Sequence, residues 1–311
     1  MINKIKSQTD ISFVIPTKDR LEILEINLNS LVVHLAKAAF TYEVVVLDSD
    51  CDTKVQSLCG ISSIDVKYVA MPNVGVCSMR NHGAAIASGE WLCFLDDDLY
   101  VDATFSVALA KVMHNTRYMM VGGNYKSWFY YGRPVWLSEH YGSELYSADD
   151  GIKPMGDSSP HAGILMIKKM ALEAVGGWNT KLGPTVKAMK YGEENYLMQS
   201  LLQKGYEVGR YSRLMVYHLV DKRKLYVTWH LRAEFRRARD RYFLSPYKVS
   251  SLPRKLISLL VRFWTLLFAT SLNFFVRKDY YWQNFILDWL QPLSRQAGKV
   301  YSIVRYGILK V

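Results

Sequence analysis

In Trp91-Leu92-Cys93-Phe94-Leu95-Asp96-Asp97-Asp98, an apolar run too short for a helix passes directly into three carboxylates. A brief apolar stretch bounded by polar residues reads as a strand buried on both faces, and a sheet of such strands carries helices above and below it. Upstream, Val66–Ala70, Glu43–Leu47 and Ile11–Ile15 have the same character, each ending in polar or turn residues. After Pro16-Thr17-Lys18-Asp19, apolar residues recur at Leu21, Leu24, Leu28, Leu31, Val32 and Leu35, the spacing of one helix face. Alternation of this kind predicts an α/β fold on a mostly parallel sheet. Ligands of such sheets bind beyond the carboxyl ends of the strands. Thr17, Asp48 and Asp96-Asp97-Asp98 therefore converge on one edge.

Downstream, Ala162–Ile167 reads as another strand, Gly176-Gly177 as a break, Tyr196-Leu197 and Ser200-Leu201 as a helix ending at Gly205, and Glu207–Tyr217 as a closing strand. From Asp221 the sequence turns Arg-rich and helical. Leu256–Val276 is apolar over a length that could cross a bilayer, but Arg262, Ser258, Thr265, Thr270, Ser271 and Asn273 interrupt it. These interruptions favour a helix lying in a membrane interface or paired with a neighbour. The expected organisation is a catalytic domain over 1–220, with a nucleotide-binding half near 10–115 and an acceptor half over 116–220, followed by a basic helical extension over 221–311.

With 311 residues, half of them hydrophobic, the chain can bury a full core. Its net charge of +11 looks like a nucleic-acid signal until it is divided along the chain. Residues 1–220 hold 21 Lys/Arg against 23 Asp/Glu, and residues 221–311 hold 18 against 5. A basic tail interleaved with Trp229, Trp264, Trp282 and Trp289 suits an anionic membrane surface and argues against a nucleic-acid partner. The plainer readings are a basic solvated face and aromatics that pack a helical cap. Met1–Asp10 is polar and lacks the pattern of a secretory leader, so the expected location is cytoplasmic, peripheral on the inner face of the cell membrane. Cys51, Cys59, Cys77 and Cys93 show no metal-ligand spacing and read as reduced thiols.

Three carboxylates leaving a buried strand repel one another and call for a cation. A hard divalent ion, Mg²⁺ or Mn²⁺, takes carboxylate oxygens and bridges phosphates. The alternative is a helix cap with a solvated turn. Arg80, on a helix after Asn73-Val74-Gly75, can face a diphosphate or make a surface ion pair. Glu193 and Glu194 sit at a helix N-terminus, where a carboxylate can serve as general base or simply complement the helix dipole. His218, after Met215-Val216-Tyr217, can offer an imidazole to a metal or be structural.

Taken together, four segments resemble the family-two glycosyltransferases of the GT-A fold. They are Phe13–Arg20, Glu43–Ser49, Arg80-Asn81 through Asp98, and Gly176-Gly177-Trp178 through Glu194. The resemblance, over about residues 10–220, implies a Rossmann-like, mixed, mostly parallel sheet flanked by helices, to which the sequence adds the C-terminal helical extension. It implies a nucleotide-diphosphate sugar donor, a UDP-sugar foremost, while the membrane reading of the tail adds a lipid-linked saccharide to the saccharide acceptors expected in cell-surface polysaccharide or glycoconjugate synthesis. Thr17 and Asp48 then lie near base and ribose, Arg80 near the nucleotide, and Asp96 and Asp98 hold ribose and metal with Asp97 between them. His218 completes the metal site. The family's Gly-Glu-Asp pattern stands here as Gly192-Glu193-Glu194, which puts Glu194, one methylene longer, at the base position. The implied reaction is a single displacement with inversion, and no Gln-x-x-Arg-Trp motif follows His218, so one sugar per encounter is expected. A catalytically inactive nucleotide-sugar-binding scaffold is the main rival, motivated by Glu194. A nucleotidyltransferase fits less well because Pro16–Arg20 contains no glycine.

Overall fold

The computed structural model describes residues 9–115, 117–148, 151–161, 163–183, 192–243 and 246–309. Its first half alternates strand and helix: β1 (Ile11–Thr17), α1 (Leu21–Leu35), β2 (Tyr42–Asp48), α2 (Thr53–Ile61), β3 (Val66–Ala70), α3 (Val76–Ile86) and β4 (Trp91–Leu95). β1 and β2 run two residues and one residue further than their apolar cores, because the parallel ladder continues until Thr17 stands opposite Asp48. Period-two alternation sends Phe13, Ile15, Val44 and Val46 to the face covered by α1 and α4 (Phe105–Met113). Val14, Val45, Leu47 and Phe94 go to the other face, against residues of α3 and α6 (Glu193–Gln203). Both faces are dry, which is why these strands read as unbroken apolar runs.

β5 (Leu99–Tyr100), β6 (Tyr118–Trp128), β7 (Lys153–Pro154), β8 (Ile164–Lys168), α5 (Lys169–Ala174) and β9 (Glu207–Leu219) complete this part. The sheet order is β3-β2-β1-β4-β8-β6-β9-β5, with β7 on β9. β1, β2, β3 and β4 are mutually parallel, and β8 enters antiparallel between β4 and β6. The arrangement is the mixed, mostly parallel sheet flanked by helices that the sequence predicts. The strand expected at 162–167 begins at Ile164, and Ala162 lies outside the described residues. α6 begins at Glu193, three residues before the first apolar position, which places the acid pair in its first turn.

Two units divide the chain, Met1–Trp128 with Gly142–Leu219, and Phe129–Tyr141 with Val220–Val311. The second unit contains α7 (Val227–Asp240), α8 (Leu252–Val276) and α9 (Trp282–Ser302). Trp136, Leu137 and Leu287 form its small core, and Asn284 Nδ2 donates to the Trp136 carbonyl at 2.9 Å.

Candidate active site

Parallel pairing sets the site. Ile11 pairs with Trp91 and Val14 with Phe94, and continuing that register carries Thr17 to Asp97 just beyond the end of β4. Thr17 Oγ1 donates to Asp97 Oδ2 at 2.8 Å. One nitrogen of Arg20 reaches Asp97 Oδ1 at 2.8 Å and Asp98 Oδ2 at 2.6 Å. Burial, then the charge of Asp98, pushes the Asp97 carboxyl above its ordinary value against the pull of Arg20 and Thr17. Burial acts on Asp98 in the same sense, but His218 and Arg20 outweigh it and hold that carboxyl below its ordinary value.

His218 arrives from the far end of the sheet. β5 pairs antiparallel with the end of β9, setting Leu99 opposite His218, and Leu219 N donates to the Asp98 carbonyl at 2.9 Å. His218 Nε2 thereby lies 3.4 Å from Asp98 Oδ1. Asp48 is held differently. Its oxygens accept from the backbone N–H groups of Asp50 and Asp52 at 2.9 and 2.7 Å and from Tyr68 Oη at 3.1 Å. It lines a cleft of about 550 Å³ with Lys18, Arg20, Asp50 and Asp52.

Arg80 joins the aspartate run to the acid pair on α6. It is buried, gives Asp96 Oδ1 a 2.9 Å hydrogen bond and stands 3.7 Å from Glu193 Oε1. Its guanidinium covers the Trp178 ring at 4.9 Å, and Asn81 fixes that tryptophan by bonding both its N–H and its carbonyl. Among the described residues, Arg80 Nε and Nη1 and, after β2, Ser49 Oγ have no hydrogen-bond partner although buried. Such atoms are costly unless a ligand satisfies them. Burial, followed by the charge of Glu193, raises the Glu194 carboxyl above its ordinary value, while Glu193 is the more buried of the two.

The expected residues thus form linked groups: Thr17 with Asp97, Asp98 with His218, Asp96 with Arg80 and Glu193. Among the described residues, no three His, Cys, Asp or Glu side chains converge in metal-holding geometry. Asp98 and His218 nevertheless offer a carboxylate and an imidazole side by side, a donor set that fits Mn²⁺ or Mg²⁺ with the remaining positions left to phosphate and water. Asp96, the third ligand expected from the sequence, bonds Arg80 through Oδ1.

Sequence reasoning assigned no role to Arg20 or Tyr125. Arg20 was visible as a cation just beyond the first strand. Tyr125 stacks on the His218 ring with centroids 5.0 Å apart, and its Oη accepts from Gly163 N at 2.9 Å. No local pattern marked it.

The profile of glycosyl transferase family 2 matches residues 12–176, more than half of the chain. The chain belongs to that family and is a glycosyltransferase of the GT-A fold. Among solved structures, a mannosyltransferase from Pyrobaculum calidifontis, PcManGT, described in complex with GDP-Man and Mn²⁺, is similar at 15% identity and a TM-score of 0.57. That match covers 98% of this chain and 89% of the other. S. aureus TarS matches at 19% identity and a TM-score of 0.49, over 73% of this chain and only 39% of its own length. No curated protein matches.

Proposed function

We propose that the sheet unit transfers one sugar per encounter, with inversion, from a nucleoside-diphosphate donor to a hydroxyl of a saccharide or lipid-linked saccharide. The carrying observation is Arg80, which bonds Asp96 after β4 and stands 3.7 Å from Glu193 in the first turn of α6; this supports a reading in which donor-binding and proton-accepting groups share one edge. In this reading Thr17 and Asp48 serve base and ribose. Asp97 fixes Thr17 and Arg20, and Arg80 turns the N–H groups that lack a hydrogen-bond partner to the diphosphate. Asp98 and His218 hold Mn²⁺ or Mg²⁺, with Asp96 beside them. A divalent ion, when bound, neutralises charge developing on the departing diphosphate. Glu193 orients its neighbour through Arg80. Glu194, its carboxyl raised, takes the acceptor proton as the hydroxyl attacks the anomeric carbon.

A uridine nucleotide is the expected donor. The GDP-Man described with PcManGT makes guanosine the necessary comparison. The setting we assign is cell-surface polysaccharide or glycoconjugate synthesis, with residues 221–311 against the cytoplasmic membrane face.

Thermal unfolding with UDP or GDP, each with and without Mn²⁺, tests the donor site, since a ligand of the folded state raises its stability. One nucleotide stabilising only with metal is expected, and silence from both removes the donor reading. Glu194→Gln then separates enzyme from inactive scaffold. Turnover falling by about 10²–10⁴ with nucleotide stabilisation intact supports the base. Unchanged turnover takes that role from Glu194.

A further inference from the structure

We propose that α8 lies flat in the surface of an anionic bilayer, its apolar face inserted at the boundary of headgroups and chains and its flanking cations on lipid phosphates. The proposal deepens the membrane reading of residues 221–311 and rests on it, but is independent of the transferase assignment.

Leu256, Leu260, Trp264, Phe268, Leu272 and Phe275 follow one another at helical spacing, and all are exposed. Trp264 is 67% and Phe275 85% accessible, values foreign to a helix that serves a core. This ridge is about 28 Å long at 1.5 Å per residue, so length alone permits a span as readily as a surface helix.

α9 decides between them. It runs antiparallel along the other side of α8: Gln296 Nε2 donates to the Lys255 carbonyl, Trp289 Nε1 to the Phe263 carbonyl, and Phe285 meets Phe274 with centroids 5.9 Å apart. α9 in turn packs on the Arg-rich α7, where Arg295 Nε bonds Glu234 at 2.6 Å and Ser302 Oγ the Arg239 carbonyl at 3.0 Å. A spanning α8 would draw Asp288, Gln291 and Arg295 of its partner into hydrocarbon, where charge is costly. A surface-lying α8 leaves them in water.

Charge names the surface. α8 carries Arg254, Lys255 and Arg262 and no acid. Among the described residues Lys255, Arg262 and Lys299 have no carboxylate partner. Burial, then repulsion from Lys255, Arg295, Arg262 and Arg241, lowers the Lys299 ammonium below the usual lysine range, which places these cations together. Lipid phosphates relieve that crowding. A second copy of the chain would bring the same excess of 18 Lys/Arg over 5 Asp/Glu against it.

The test is flotation of the full chain with phosphatidylcholine vesicles, with and without phosphatidylglycerol, followed by alkaline carbonate extraction. Binding only to the anionic vesicles, released by carbonate, is expected. Trp264→Ser with Phe268→Ser should abolish it at an unchanged unfolding midpoint, and Lys255→Gln or Lys299→Gln should each weaken it about fivefold at low salt. Carbonate-resistant binding overturns the surface orientation but keeps the membrane. Absence of flotation overturns both and leaves the nucleotide tests untouched. A concentration-dependent dimer lost in the Trp264/Phe268 variant gives the face to a second copy.

Discussion

Arg20 and Arg80 divide three adjacent carboxylates between them, Asp97 and Asp98 to the first and Asp96 to the second. A buried carboxylate stripped of its cation costs far more than the pair contributes, so these arginines are conditions for the aspartates to be there at all. Gly163 is equally constrained. A Cβ at that position would lie 2.6 Å from Asp96 Oδ2 and closer still to Tyr125 Oη. Neither neighbour can yield, since Asp96 is held by Arg80 and Tyr125 is packed against His218. Gly163→Ala is therefore expected to cost about 1–3 kcal/mol as an overpacked site. It should also weaken metal-dependent nucleotide binding. Thermal unfolding with and without nucleotide checks both, and a variant matching the wild type in each would remove Gly163 from the site. The residue types at this edge were legible in the sequence. Their partners were not, because Arg20 and Arg80 meet the aspartates across separations that only folding closes.

At the scale of elements, β1 to β4 were readable because each is a short apolar run between turns. β6 was not. Gly122-Gly123 looks like a breaker, yet a Cβ on Gly123 would lie 2.7 Å from the Ile164 side chain, so glycine is what lets the neighbouring strands close up. Two helical glycines make the same point with opposite signs. Gly60 in α2 has open space where a side chain would go, and Gly60→Ala is expected to stabilise by about 0.5–1 kcal/mol. Gly298 in α9 packs against the Phe235 carbonyl of α7, with Ala238 Cβ 3.1 Å from where its own would be. Gly298→Ala should destabilise by about 1–3 kcal/mol by forcing those helices apart. Urea unfolding of the two variants side by side tests the contrast, and equal effects would contradict it.

Across the molecule, part of the stability lost in acid resides at the end of the strands opposite the site. Glu43 accepts from Ser12 Oγ at 2.6 Å and from Ser88 N and Oγ at 2.6 and 2.7 Å, and pairs with Lys67 at 2.5 Å. Burial opposes its ionisation, but Lys67, Ser12 and Ser88 outweigh it and bring the carboxyl from 4.5 to about 2. A folded value below the unfolded one means that this contribution is complete above pH 4.5 and is lost as the pH falls towards 2. Glu43→Gln is expected to cost about 2–3 kcal/mol at pH 7. The difference from the wild type should shrink steadily below pH 4.5, as measured by urea unfolding at a series of pH values. A gap constant with pH would show that Glu43 acts through packing alone.

The sequence by itself determined the α/β class, the family, the strand ends that bear polar residues and the basic, aromatic character of the tail. All of these are written in local periodicity and in the order of short segments. Tertiary structure decided which cation meets which aspartate, that the strand-end His218 comes to Asp98, and that Phe129–Tyr141 belongs with the C-terminal helices. It also decided that α8 has α9 along one side and open surface along the other. Those outcomes depend on contacts between residues far apart in the chain, where register and packing choose among partners that composition leaves equivalent.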